Sequence, residues 1–155
     1  MKQISATALD QLVCAAQASP RLRANLNLHQ TLDDPIQRLA IAMEPDTVVL
    51  AHRHRHTWEL LLPLRGRFAV LLFDDDGVVT DRCVLGESTA MLEMPAGQWH
   101  AVLSLDAGGV IFEVKHGPYR PLDGSDFAPW AAAASPALLD WYACAQPGDR
   151  FVERP

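Results

Sequence analysis

Three histidines alternate in the stretch AHRHRHTWELLLPLRG, residues 51–66, and a single carboxylate follows them. These residues are His52, His54, His56 and Glu59. Imidazole nitrogens and a carboxylate oxygen can bind a divalent metal, but histidines can also act as a pH sensor or contribute to a basic surface patch. The surrounding sequence has to distinguish these three kinds of site.

Side-chain alternation places two of the histidines on an apolar face. In a strand over residues 47–54, His52 and His54 share one face with apolar side chains, and Arg53 lies on the opposite face. A surface patch would instead put the histidines on the side of the arginine. The pattern therefore favours histidines that point into the protein interior.

A fourth candidate ligand, His100, comes much later in the chain, soon after the turn-forming residues 95–97. The predicted metal ligands are thus His52, His54, Glu59 and His100. Three nitrogens and one oxygen suit one divalent ion of Fe, Mn, Ni, Co or Zn and leave one or two coordination positions open. A set of hydrogen-bonded histidines without a metal is the alternative.

His56 offers a competing ligand register, because His54, His56 and Glu59 are also closely spaced. That register would abandon His52, which continues the apolar face. We therefore interpret His56 as a histidine at the rim of the site.

The elements that must position these residues are mostly short strands. A helix is predicted over residues 6–18 with Ser5 as its N-cap, followed by a polar arm over 19–38, a barrel over 39–116 and a partly helical extension over 117–155. Turn-forming residues separate the candidate strands, which are 39–44, 47–54, 58–64, 67–73, 78–85, 90–94, 99–105 and 110–116. This spacing predicts a single all-β domain, built as an antiparallel sandwich or small barrel.

The arm is unusually polar for a segment that leads into a barrel. Its candidate substrate-binding residues are Arg21, Arg23, Asn25, Asn27 and His29. Alternation places Leu26 and Leu28 on the opposite face from the asparagines, as in a short edge strand. The arm either crosses the barrel mouth and binds an oxygen-rich ligand, or it is simply a solvated edge.

Three residues near the end of the barrel have simpler interpretations. Glu113 and Lys115 share a face of the last strand, which we interpret as an exterior, salt-bridged face. Tyr119 is either a proton donor at the barrel rim or a packed aromatic side chain.

Composition limits the possible partners. The chain has 155 residues and a net charge of −6, which disfavours nucleic acid because phosphate binding requires a basic surplus. The three distant cysteines, Cys14, Cys83 and Cys144, are typical of reduced thiols rather than a disulfide framework. No apolar run reaches membrane-spanning length, and acidic and amide residues interrupt the N-terminal apolar stretch, so we expect a cytoplasmic protein with no membrane partner.

The string His52-x-His54-x4-Glu59-x6-Gly66, followed by Pro95-x-Gly97-x2-His100, resembles the two motifs of the cupin superfamily. Over roughly residues 19–130 the chain is most similar to the WbuC-type cupin-fold metalloproteins, through SPRLRANLNLHQTLDDPIQRL, WELLLPLRGR, LLFDDDG, PAGQWH, FEVKHGPY and DFAPW. The resemblance implies a double-stranded β-helix, or jelly-roll barrel, with a metal in it.

The chain departs from the cupin motifs at three positions. Asp46 and Thr89 stand where glycines are usual, and Ser104 stands where the second motif usually ends in asparagine. None of the three is a ligand position, so the departures affect the expected turns rather than the expected metal.

The predicted function is that of a metal-dependent enzyme of isomerase, lyase or hydrolase type. Its substrate would be a small, oxygen-rich, anionic molecule related to carbohydrates, and the family resemblance points to polysaccharide biosynthesis. Glu59 and Tyr119 are the catalytic candidates. An Fe(II) dioxygenase and a non-catalytic ligand-binding or sensing barrel are the alternatives. Because cupin barrels commonly pair through an edge strand, we expect a homodimer.

Overall fold

Antiparallel strands form two facing sheets in the computed structural model, which describes residues 1–131 and 133–152. The strands of the described chain are β1 (Arg23–Asn27), β2 (Ile36–Met43), β3 (Glu59–Arg65), β4 (Phe68–Phe73), β5 (Val79–Leu85), β6 (Leu92–Met94), β7 (Trp99–Ser104) and β8 (Gly109–His116). Its helices are α1 (Ala6–Ala18) and α2 (Pro136–Cys144), with short 3-10 turns at Gly124–Asp126 and Pro129–Ala131.

The larger sheet has the order β1-β2-β8-β3-β6, and the smaller sheet has the order β5-β4-β7. Apolar side chains from both sheets meet in one cluster that includes Leu61 and Ile111 from the larger sheet and Phe68 and Val70 from the smaller one. Burying these faces against each other removes apolar surface from water and drives the sheets together. The all-β barrel predicted from the strand spacing is confirmed.

The N-terminal helix covers the outer face of the larger sheet. Ser5 caps α1 by accepting a hydrogen bond from the N–H of Ala8 at 3.2 Å. Leu12 and Ala16 then pack against Ala40 on β2 and neighbouring small residues of the sheet. Because α1 covers one face and the barrel interior covers the other, β2 is buried on both sides.

The C-terminal extension covers the outer face of the smaller sheet. Leu138 and Tyr142 on α2 pack in one cluster with Leu71 and Phe73 of β4. The predicted extension over 117–155 is therefore partly helical as far as residue 152, while residues 132 and 153–155 of it lie outside the described residues. In the described chain, neither α1 nor α2 has the length and apolar run that a membrane crossing requires.

Residues 47–54 differ from the prediction, because they do not form a continuous strand. Only His52 makes isolated bridges, to His100 and to Phe127. The backbone of the segment instead divides its hydrogen bonds among several elements: the N–H of Ala51 donates to the Tyr142 hydroxyl, and the N–H of Arg53 donates to the carbonyl of Asp126. Its polar backbone groups are thus satisfied without a strand ladder.

Candidate metal centre

Two backbone contacts bring the distant histidine motifs together. The N–H of His52 donates to the carbonyl of His100 at 3.0 Å, and the N–H of His100 donates back at 2.9 Å. Just before β7, Gly97 has a φ of 84° and donates its N–H to the carbonyl of His54 at 2.9 Å. That left-handed conformation strains residues with a Cβ, so the glycine allows the turn to close beside His54.

The four predicted ligands lie together. One candidate ligand atom from each of His52, His54, Glu59 and His100 lies within 4.8 Å of the others. Glu59 is the first residue of β3 and is buried, as is His100 near the start of β7. The quartet is a group that could hold a metal ion.

Backbone carbonyls orient two of the imidazole rings. The Nδ1 atom of His52 lies 2.8 Å from the carbonyl oxygen of Leu50, and Nδ1 of His100 lies 3.0 Å from that of Gln98. A carbonyl oxygen only accepts, so each Nδ1 carries a hydrogen, which leaves Nε2 as the nitrogen that can bind a metal once it carries no proton. Such an outer hydrogen bond is typical of metal-binding histidine, and the donor set fits a divalent transition metal.

The carboxylate of Glu59 contacts two histidines of the quartet. Its Oε1 lies 3.1 Å from Nε2 of His54, and its Oε2 lies 3.1 Å from Nε2 of His100. Burial alone would raise the pKa of Glu59, but the hydrogen bonds from His100 and His54 and the charge of Lys115 hold that pKa well below its ordinary value. The carboxylate is therefore ionised at neutral pH.

The pKa values of His52 and His100 are shifted in opposite directions. Burial lowers the pKa of His100, but the hydrogen bond to Glu59 and its negative charge outweigh burial and raise the pKa overall. Burial and the neighbouring His100 lower the pKa of His52 to about 3. His52 is thus neutral throughout the physiological range and is available as a nitrogen ligand.

Lys115 lies inside the barrel, in contrast to the exterior position predicted from the sequence. Its Nζ donates to Oε1 of Glu59 at 3.0 Å and lies 2.8 Å from Oε1 of Glu113. Burial lowers the pKa of Lys115, but the charges of Glu113 and Glu59 more than offset this effect and raise the pKa overall. The prediction failed because alternation identifies two faces of a strand, and here the polar face borders a cavity.

His56 lies outside the quartet. It is exposed, and its ring centroid is 6.5 Å from that of His54. Burial and the positive charge of Arg120 lower its pKa. This placement agrees with a histidine at the rim of the site.

The quartet opens onto a cavity of about 700 Å³. All five candidate residues of the arm line it, together with the quartet and Tyr119. Arg23, Asn25 and Asn27 alternate with Ala24 and Leu26 along β1, and the two apolar residues pack towards α1 on the other face. The apolar residues that line the cavity include Leu39, Ile41, Met43, Leu61, Val102 and Ile111.

The arm side chains are not equivalent. Arg23 is half-buried, burial and the nearby Arg21 lower its pKa, and its guanidinium makes no hydrogen bond or ion pair with the residues that the structure describes. His29, by contrast, is buried, and its Nδ1 accepts a hydrogen bond from the N–H of Arg38 at 3.0 Å. Arg23 is therefore available to a ligand, whereas His29 already fixes the backbone of β2.

Sequence reasoning missed three charged residues that line the cavity, namely Glu113, Lys115 and Arg120. The strand register was the signal that could have revealed Lys115, because Lys115 on β8 is the direct partner of Glu59 on β3. The spacing of residues within one strand does not show which strand lies beside it, so the sequence alone did not indicate this contact.

The chain is similar to one described protein family and to several solved structures. The model of a family described as a domain of unknown function, DUF6016, matches residues 4–85. No curated protein matches the chain. The structure of TT1209 from Thermus thermophilus is similar, with 19% identity, a TM-score of 0.54, and coverage of 75% of this chain and 95% of that one.

Two further solved structures are similar. One is CapF in complex with the inhibitor 3-isopropenyl-tropolone, at 17% identity and a TM-score of 0.53, covering 63% of this chain and 28% of that one. The other is a cupin superfamily protein from Desulfitobacterium hafniense DCB-2, at 17% identity and a TM-score of 0.48, covering 61% of this chain and 76% of that one. At such identities structural similarity concerns the fold alone, and the shared fold is a β-barrel of two facing antiparallel sheets.

Proposed function

The chain belongs to the DUF6016 family, and because that family's description assigns no chemistry, we propose a function from the site itself. We propose a metal-dependent cupin enzyme that acts on a small, oxygen-rich, anionic substrate. One observation supports this proposal above the others: a three-histidine, one-carboxylate cluster and a row of polar arm residues line the same cavity.

His52, His54, Glu59 and His100 would hold the metal. When bound, a divalent ion polarises an oxygen of the substrate or lowers the pKa of a bound water. Three neutral imidazoles and one carboxylate leave a net positive charge, which favours an anionic ligand.

The remaining residues of the cavity would bind and orient the substrate. Arg21, Arg23 and Arg120 line it, and a guanidinium pairs with carboxylate or phosphate through two parallel hydrogen bonds. Asn25 and Asn27 offer both donors and acceptors to hydroxyl groups. Apolar side chains also line the cavity, and such surroundings strengthen a polar contact relative to bulk water.

Proton transfer would involve one residue at the cavity rim and one member of the quartet. Tyr119 lines the cavity and is 48% exposed, so it borders both the cavity and solvent. Glu59 is the second candidate, because its carboxylate is ionised and borders the same space. An isomerase, lyase or hydrolase reaction requires this combination of a proton donor, a proton acceptor and a polarised oxygen.

We further propose a biological setting for the reaction. The resemblance to WbuC-type cupins supports a carbohydrate-related substrate and a role in polysaccharide biosynthesis. A cytoplasmic location remains a prediction from cysteine usage.

Binding of glucuronate, glucose 6-phosphate and uncharged glucose to the metal-loaded protein tests the substrate class. Arg23→Met should weaken binding of the two anions by about 10-fold and leave glucose unchanged, because one charged hydrogen-bonding partner is lost. Arg65→Met is the matched control, since Arg65 pairs with Asp10 on α1 at 2.8 Å, away from the cavity. Equal effects of the two substitutions would contradict the proposed ligand class.

Turnover is tested on whichever probe binds, with wild type and Glu59→Ala, in air and without oxygen. Anaerobic turnover that Glu59→Ala abolishes supports the proposed reaction types. Turnover that requires oxygen identifies a dioxygenase. A ligand that binds tightly and is never changed identifies a non-catalytic binding barrel.

A further inference from the structure

Lys115 is one of only two lysines in the chain, and its ammonium lies between two carboxylates inside the cavity. We propose that Lys115 is a positioning residue that holds one oxygen of Glu59, so that the carboxylate offers only its other oxygen to a metal. This inference rests on the proposed function, because it concerns how the same quartet would bind its ion.

The two oxygens of Glu59 have different surroundings. Oε1 accepts the hydrogen bond from Lys115 Nζ at 3.0 Å and lies 3.1 Å from His54, whereas Oε2 lies 3.1 Å from His100 and away from the ammonium. An oxygen that accepts a charged hydrogen bond is a poorer metal ligand than its neighbour, because part of its electron density is already engaged. Oε2 is therefore the oxygen left for a metal.

The sheet itself fixes this contact. Glu59 on β3 and Lys115 on β8 are direct partners in the antiparallel register, so their side chains emerge side by side from the same face. The Lys115 side chain is only 14% exposed, and that of Glu59 is 5% exposed. Because both side chains are buried, water screens this ion pair little, and removing one partner would cost more than at an exposed site.

Glu113 restrains Lys115 from the other side. It lies two residues earlier on the same face of β8, and its Oε1 is 2.8 Å from Lys115 Nζ. The ammonium has three donors, and the two carboxylates account for two of them. A lysine fixed at two points cannot swing away and release Oε1 of Glu59.

Holding Oε1 of Glu59 would affect how many coordination positions of the metal stay open. Three imidazoles and one carboxylate oxygen occupy four positions and leave room for a substrate oxygen. A carboxylate that binds through both oxygens takes one further position. By holding Oε1, Lys115 would keep that position free for the ligand.

Cobalt(II)-loaded protein provides the test, because visible absorption of this ion reports its coordination and a neutral ligand can be titrated onto it. Imidazole is the probe at about pH 8, where it is mostly uncharged, so that the lost charge of Lys115 does not itself change its affinity. Lys115→Met should alter the cobalt spectrum and weaken imidazole binding at least about 10-fold, the size of effect seen when a residue that orients a metal ligand is removed.

Three variants complete the comparison. Lys115→Arg should largely restore the wild-type spectrum, because a guanidinium can donate to the same oxygen. Glu113→Gln should give an intermediate result, since Lys115 loses one of its two anchors. Lys2→Met is the matched control, because Lys2 is the other lysine and donates to the carbonyl of Leu28 instead.

A wild-type spectrum and unchanged imidazole affinity in cobalt-loaded Lys115→Met would overturn this inference and leave the metal site standing. If Lys115→Met does not fold, the same unchanged readings in Glu113→Gln would overturn it. Wild type that binds no cobalt and no other divalent ion would refute the proposed function together with this inference.

Discussion

The N–H of Ala51 donates a hydrogen bond to the hydroxyl oxygen of Tyr142 across 3.1 Å, immediately before His52 in the chain. Tyr142 is buried on α2, and burial raises the pKa of its hydroxyl despite the bond from Ala51. The C-terminal helix thus fixes the backbone of the histidine segment from outside the barrel. Because residues 47–54 lack a strand ladder, the hydrogen bond from Ala51 to Tyr142 helps to hold them in place.

Replacement of Tyr142 should therefore affect stability. Tyr142→Phe leaves the buried N–H of Ala51 without a partner and should lower the free energy of unfolding by about 1–3 kcal/mol. Urea denaturation monitored by circular dichroism measures this change. Tyr119→Phe is the control, because the exposed Tyr119 should change stability by less than about 0.5 kcal/mol. Equal stabilities of Tyr142→Phe and wild type would contradict a structural role for the bond.

The ligand set predicts a sharp difference between neighbouring histidines. His54→Ala and His100→Ala should each reduce affinity for Zn(II) or Co(II) by more than about 100-fold, because each removes a direct ligand. His56→Ala should keep near-normal metal content. Metal analysis of protein purified without a histidine tag measures all three variants. If His56→Ala behaves like His54→Ala, the ligand register is wrong by two residues.

Metal affinity should rise with pH through the neutral range. The metal requires a neutral His100, but Glu59 raises the pKa of His100 above its ordinary value, so a proton competes with the ion below that pKa. His52, with a pKa of about 3, adds no competition at these pH values. Calorimetric titration with Zn(II) from about pH 5.5 to 8.5, in buffers of different ionisation enthalpy, should show release of about one proton at the low end. A constant affinity over that range would contradict this account.

The free edge of the larger sheet predicts the oligomeric state of the protein. Among the described strands, β1 (Arg23–Asn27) lies at an edge of the larger sheet and pairs only with β2. An open edge is available for pairing with a second copy, so we expect a homodimer. Light scattering at micromolar concentration measures the mass. A monomer at such concentrations would contradict the prediction.

The metal quartet could be predicted from sequence because two short motifs contain it, and the resemblance to the cupin motifs joins them. His52 and His54 are two residues apart, Glu59 opens the next strand, and His100 follows a turn that requires glycine. The alternation of the arm was equally readable, since Arg23 and Asn25 face the cavity while Leu26 packs towards α1. The side-chain alternation lies within one element, whereas the contact of His100 with the other three ligands joins elements that are distant in the chain.

The position of Lys115 could not be predicted in the same way. A strand with alternating charged and apolar residues normally turns its charges to bulk water, and β8 has this pattern. Here α1 covers the apolar face, with Phe112 packed against it, and the charged face borders the cavity. Which face of β8 lies on the outside of the barrel depends on where α1 packs, and α1 is far from β8 in the chain. The periodicity of a single strand contains no such information.

The scarcity of lysine has a practical consequence for immobilisation. Amine-reactive coupling requires an unprotonated amine, and Lys115 is buried with a raised pKa between Glu59 and Glu113. The other lysine, Lys2, is exposed and lies before α1. Amine coupling of these two side chains should therefore modify Lys2 and leave the cavity lysine unmodified.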